Sequence, residues 1–218
     1  MTNLEKELQN LKNAVAQMLN LVRKQLEKSS TAFLTMDHAL AEEIIHTEKR
    51  VNAMELTIDK MCENIFALFN PVASDLRFTI SMLKMNSDIE RIGDYADGIA
   101  DYVVANHKEF NKDMIEKTRI SDMFSIAYHM LDLFIVSFEN NNAVLPRTIF
   151  TSDRELNEIN KASSSIIENL VFSDSKSVQE ALYLFSTIKK VERIGDHIKN
   201  IAEDWIFYLD GEVLKHNK

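Results

Sequence analysis

Apolar residues in the first 27 positions alternate in steps of three and four, at Leu4, Leu8, Leu11, Val15, Met18, Val22 and Leu26. That spacing lays one stripe along a helix. Ser29-Ser30-Thr31 reads as a break or a new cap. A second helix follows to Phe69 on Ile44, Val51, Met54, Ile58, Met61 and Ile65, and Asn70-Pro71 ends it, because a proline ring disfavours helix at the residue before it. Ser74 or Asp75 is the expected cap of a third helix, whose stripe of Phe78, Met82, Met85, Ile89, Ile92, Ala96, Ile99 and Val103 is unbroken. The polar stretch from Asn106 to Asp113 divides the chain. Beyond it the pattern predicts a fourth helix from about Ile115 to Asn140 and a fifth from Thr148 or Asp153 to Phe172, with a turn at Ser173-Asp174-Ser175. A sixth starts near Ser177 on Leu184, Ile188, Val191, Ile194, Ile198, Ile201 and Trp205, and ends at Asp210-Gly211.

The second half repeats the first. Glu90-Arg91-Ile92-Gly93-Asp94 returns 102 positions later as Glu192-Arg193-Ile194-Gly195-Asp196. Val51-Asn52 and Glu63-Asn64-Ile65 match Leu156-Asn157 and Glu168-Asn169-Leu170 at a common offset of 105. Each half is helix–helix–helix, and short loops make neighbouring helices antiparallel. The expected fold is therefore all-α: two tandem antiparallel three-helix bundles related by internal duplication, residues 1–107 and 108–218. A glycine within a helix costs about 1 kcal/mol against alanine. Gly93 and Gly195 accept that cost at the same place in both halves, so each is expected where a neighbouring helix leaves no room for a Cβ.

Acidic residues form a second pattern. Glu90, Asp94, Asp97 and Asp101 share one face of the third helix at +4, +7 and +11, and Glu48, Asn52, Glu55 and Asp59 repeat that spacing on the second. Like charges so placed repel. Measured from the turn near residue 72, Glu48 and Asp94 stand at similar heights, roughly 33 to 36 Å along their helices. Facing one another, the stripes would line a groove whose repulsion cations or protons relieve; hard cations favour such oxygen donors. By the ~100° step per residue, the acidic stripe lies roughly 140° from the apolar one, which predicts carboxylates pointing away from the core. In the second half Asp153 and Asn157 match Glu48 and Asn52, and Glu192 and Asp196 recur, but Asn160 replaces Glu55 and Lys199 replaces Asp97. Cation binding there is expected to be weaker or absent.

Composition narrows the class. Four Gly and two Pro in 218 residues disfavour an all-β chain. A formal charge of −9 argues against nucleic acid or anionic lipid as the main partner. The single Cys62 suits a reducing cytoplasm. No apolar run approaching ~18 residues is evident, and the N-terminus lacks a basic segment followed by an apolar one. A carboxylate-bridged di-metal enzyme is one alternative, but such a bundle needs two Glu-x-x-His motifs and only Glu43-Ile44-Ile45-His46 has that form. A purely structural helical scaffold is the other. His38, His46, His107 and His129 read as surface or boundary residues, and most of the ten Met as core.

Pro71-Val72-Ala73-Ser74-Asp75-Leu76-Arg77, the two Glu-Arg-Ile-Gly-Asp pentapeptides, His197 and the ending Gly211-Glu212-Val213-Leu214-Lys215-His216 together resemble the PhoU family over essentially the whole chain. The resemblance implies a cytoplasmic, non-enzymatic, commonly homodimeric regulator that restrains the phosphate-starvation response and phosphate uptake. It implies contact with the PstB-type ATPase of a phosphate transporter and a PhoR-type sensor kinase. No cofactor is required, but some members bind iron, zinc or other divalent ions through Glu/Asp-x-x-x-Asp motifs. Carried over, the candidate metal positions are Glu48, Asn52, Glu55, Glu90, Asp94, Asp97, Asp153, Asn157, Glu192 and Asp196. Asn52 and Asn157 depart from the motif, since an amide oxygen brings no charge. Tyr95, where the second repeat has His197, removes a soft ligand from the first site.

Overall fold

The computed structural model describes residues 1–106, 108–173 and 178–214. They form α1 (Asn3–Thr35), α2 (His38–Phe69), α3 (Ala73–Ala105), α4 (Lys112–Thr118), α5 (Ile120–Asn140), α6 (Pro146–Ser173) and α7 (Val178–Asp210). Two three-helix bundles, α1–α2–α3 and α5–α6–α7, carry the duplication, and α4 is a short addition packed on α5 and α6. All eight stripe residues of α3 and all seven of α7 are buried. At about 1.5–3 kcal/mol per large apolar side chain, these stripes dominate the folding of each bundle.

Several predicted boundaries move, each for a local reason. Helix α1 continues through Ser29-Ser30-Thr31 to Thr35. Ser29 donates to the Leu26 carbonyl and Thr31 to that of Glu27, so both hydroxyls turn back on the helix instead of capping a new one. Carrying the helix onward buries Ala32 and Phe33, which outweighs the ~1 kcal/mol of an N-cap. The chain breaks instead at Met36, which is left-handed, and Asp37 caps α2 through Leu40 N. Helix α3 starts at Ala73 with no side-chain cap, and Asp75 sits in its first turn. Left-handed Arg119 divides the expected fourth helix into α4 and α5. Helix α6 opens at Pro146, a residue suited to a first turn, after Asn142 Oδ1 accepts from the amides of Val144 and Leu145. The predicted turn at 174–175, the start at Ser177, His107 and the family ending at 215–216 lie outside the described residues.

Helix α5 carries a window of mean hydropathy 1.3, long and apolar enough to cross a membrane, although the sequence showed no uninterrupted apolar run. Half of that window is buried within the protein. Met123, Ala127, Met130, Leu131 and Phe134 supply the buried face, which packs on α1, α6 and α7; the helix is accounted for as a core element.

The two bundles share one continuous core. Helix α3 lies along α7, and α1 along α5. The α3–α7 seam is polar: Lys84 pairs with Asp204 at 3.7 Å, Asp88 Oδ1 bonds to His197 Nδ1 at 2.6 Å, and Asn200 donates to Asp88 at 3.1 Å. Tyr95 stacks near His197 and Tyr102 near Tyr183. The order of these contacts makes α3 and α7 antiparallel.

Candidate functional site

The first groove lies between α2 and α3, which the tight turn through Asn70-Pro71 sets side by side. Glycine at position 93 controls their approach. A Cβ there would stand 3.1 Å from Glu48 Oε2 and 3.3 Å from both Gln25 Oε1 and Val51 Cγ1. Glu48 is consequently buried, at 7% exposure, and across the groove the Glu90 side chain is only 14% exposed, which corrects for that residue the expectation that the acids of α3 point away from the core. With the helices this close, the flank of each stripe becomes interior. Gln25 of α1 donates to Glu48 Oε2 at 2.9 Å, and Glu48 Oε1 has no partner. Asp97 also buries an unpartnered oxygen, Oδ1.

Burial first, and the charges of Asp97, Asp94 and Glu90 second, push Glu48 up to about 7, against the bond from Gln25. Burial and the charges of Asp94 and Glu55 bring Glu90 to about 7, opposed by Arg91. Burial, Asp101 and Asp94 raise Asp97 to about 6. Glu55, raised by burial and by Asp59 and Asp94, flanks the group. Arg91 reaches Asp94 at 2.8 Å and Glu90 at 3.7 Å. Structure thus brings together Glu48, Glu55, Glu90, Asp94 and Asp97, while Asn52 stands exposed beside them.

The second groove, between α6 and α7, repeats this plan. Arg193 reaches Asp196 at 3.0 Å and Glu192 at 3.7 Å. A Cβ on Gly195 would lie 2.4 Å from Leu156 Cδ1. Asp153, the counterpart of Glu48, is 4% exposed. Its Oδ2 accepts from Lys199 Nζ at 3.1 Å and from Asn157 Nδ2 at 3.4 Å. Burial opposes the charge of Lys199, but the bond to Asp153 and the charges of Asp153, Asp196 and Glu203 hold it above its ordinary range. Glu192 is raised by burial and by Asp196, with Arg193 and Lys189 opposing.

A family model described as the PhoU domain matches residues 15–103 and again 120–205, one match on each bundle. The chain belongs to the PhoU family. A phosphate-specific transport system accessory protein PhoU homolog of Aquifex aeolicus is 30% identical over 213 residues, 98% of this chain and 96% of that one. The phosphate-specific transport system accessory protein PhoU of Escherichia coli is 28% identical over 212 residues, 96% of this chain and 86% of that one. Among solved structures, PhoU from Pseudomonas aeruginosa superposes with a TM-score of 0.87 at 27% identity, covering 95% of this chain and 99% of that one. The phosphate transport system regulatory protein PhoU from Streptococcus pneumoniae gives 0.87 at 27% identity, covering 98% and 100%.

Among the described residues, no three His, Cys, Asp or Glu side chains converge as a ready-made metal centre. The first groove nonetheless offers the oxygen donors a hard cation takes: five carboxylates, of which Glu48 and Asp97 each bury an oxygen without a partner, with the Gln25 amide oxygen beside them. Gathering them onto one ion requires side-chain rotation. The Glu43–His46 motif takes no part, since Glu43 pairs with Lys28 and His46 is exposed. His197 is turned from the second groove into the α3–α7 seam, where Asp88 holds it. Sequence reasoning missed Gln25, although a polar residue seven positions after Met18 on the buried face of α1 was a readable signal. Asp88 and Asn200 gave no such signal, because their partners lie 109 and 112 positions away.

Proposed function

We propose that this protein is a regulatory accessory component of a phosphate-specific transport system. It acts in the cytoplasm as a non-enzymatic adaptor that restrains phosphate uptake and the phosphate-starvation response. Its partners in this reading are a PstB-type transporter ATPase, a PhoR-type sensor kinase and a second copy of itself. One observation carries the reading: the family match falls on both bundles, and relatives named as transport-system accessory proteins align along nearly the whole chain. An adaptor shifts a partner's equilibrium only by binding one of its states better, so the effect should scale with the amount of protein.

In the same reading the α2–α3 groove takes a divalent or iron or zinc ion through Glu48, Glu90, Asp94 and Asp97, with Glu55 at its edge. A bound ion would supply charge neutralisation there, locking two helices that otherwise repel. The unpartnered Glu48 and Asp97 oxygens support this. Asn52 can add only a neutral donor.

Deleting the gene in its own host should release phosphate-starvation gene expression in high phosphate, and graded re-expression should repress it in proportion. The purified protein should bind the host's transporter ATPase or sensor kinase. Unchanged regulation in the deletion strain, or steady turnover of a phosphate ester by the protein, would sink the adaptor reading.

A further inference from the structure

The two grooves share one plan in three dimensions. Gly93 faces Val51 and Gly195 faces Leu156, and both pairs are repeat partners at the offsets of 102 and 105. The same correspondence sets Lys199 where Asp97 stands and Asp153 where Glu48 stands. In the first groove that pair is two acids, each with a buried oxygen lacking a partner. In the second it is an acid and an ammonium, hydrogen-bonded at 3.1 Å. We infer that Lys199 is a tethered cation occupying the role of a divalent ion in the α6–α7 groove, so that the chain keeps one exchangeable cation site, between α2 and α3, and one permanently neutralised copy.

Charge agrees with this. Among the described residues, Arg91 is the cation that pairs within the acids of the first groove, Glu48, Glu55, Glu90, Asp94 and Asp97, whereas Asp153, Glu192 and Asp196 meet Arg193, Lys199 and the charge of Lys189 in the second. Affinity for hard cations follows the anionic ligand count. Access is not the obstacle. Asp153 and Lys199 line a cleft of about 550 Å³ together with Arg147, Arg154 and Glu203, and Lys199, 35% exposed, is the member of the pair that meets solvent. A mobile ion arriving there would have to displace an ammonium held on the protein, whose local concentration no free ion matches.

The inference uses the cation reading of the first groove for its count of sites, and titration calorimetry with MnCl2 separates the two. Chelator-washed full-length protein should bind one Mn²⁺ per chain. Lys199→Asp, which restores the acid of the first repeat, should bind two. Asp97→Lys should bind none and retain its helical circular dichroism; if that variant does not fold, Lys199→Asp decides alone. Lys199→Ala should melt lower than the parent in chelator and recover more on adding Mn²⁺ than the parent gains. Two ions per parent chain, or Lys199→Asp remaining at the parent's count, overturns the inference. A parent that binds none while Lys199→Asp gains one removes the cation reading of the first groove and leaves the role of Lys199 standing.

Discussion

Leu156 fills the space that a Cβ on Gly195 would need, its Cδ1 lying 2.4 Å from that position. Leu156 is fully buried, so it cannot swing into solvent to make way. Gly195→Ala should therefore destabilise the protein by about 1–3 kcal/mol, although helix propensity alone favours alanine by about 1 kcal/mol. Gly93→Ala, where the nearest atoms stand at 3.1–3.3 Å, should cost less. Urea denaturation measures both; a stabilised Gly195→Ala would show that the helices are not held by this contact. Shortening the neighbour in Gly195→Ala/Leu156→Val should recover part of the loss.

The buried acids make stability depend on pH. Glu48 and Glu90, near 7, and Asp97, near 6, all sit above their ordinary values of 4.5 and 3.8. Raised folded-state values mean that the native protein holds these protons more tightly than the unfolded chain. That contribution is complete below about pH 4 and is lost as pH rises through 6 to 7. Chelator-treated protein should accordingly melt a few degrees higher at pH 5.5 than at pH 8, at about 2–4 °C per kcal/mol for a chain of this size. Glu48→Gln, which can still accept from Gln25, should raise the melting temperature at pH 8 and narrow the difference. Higher stability at pH 8 in the parent would contradict the assignment.

Cys62 should be inert in the native protein. It is fully buried, and burial, with the charges of Asp59 and Glu63, pushes its thiol up to about 12. Thiolate is the reactive form. Iodoacetamide at pH 8 should leave the folded chain unmodified over a period in which the protein in 8 M urea is alkylated completely. Equal rates in the two conditions would place the thiol at the surface.

Removing the imidazole at the seam should loosen one bundle from the other. His197→Ala strips Asp88 of its 2.6 Å partner and Tyr95 of its ring neighbour. A loss of about 1–3 kcal/mol is expected for a partly buried acid left underpaired, with Asn200 still donating to it. Hydrogen exchange should quicken in α3 and α7 more than in α2 and α6. Uniform exchange across all four helices would argue against a seam effect.

What the chain's pattern revealed and concealed follows from the range of each force. Stripes such as Phe78 to Val103 are periodic and strong, so the long helices and the duplication were legible. The halt at Met36 and the kink at Arg119 were not, because each depends on a single left-handed residue that carries no glycine to mark it. The acidic stripes of α2 and α3 were legible from their spacing, and the acids of the second half from their correspondence with the first. Their depth was misjudged, because an angle measured on one isolated helix ignores the neighbour that glycine admits. Gln25 and the α3–α7 pairs arise only when distant segments meet, and no local rule encodes them.

Tyr95 and His197 occupy the same place in their respective repeats, and they touch, with ring centroids 5.7 Å apart. Across the same seam Lys190 lies over Gly98, while their repeat counterparts, Asp88 and Asn200, are hydrogen-bonded. Equivalent positions meeting one another, with flanking contacts that come in reciprocal pairs, are the signature of an isologous two-fold interface. The seam thus has the geometry of a dimer of half-length chains whose axis ran past position 95. Tandem fusion of such a dimer frees its two copies to diverge. A lysine at position 199 would, in the unfused ancestor, have entered both grooves at once and left no acidic one behind.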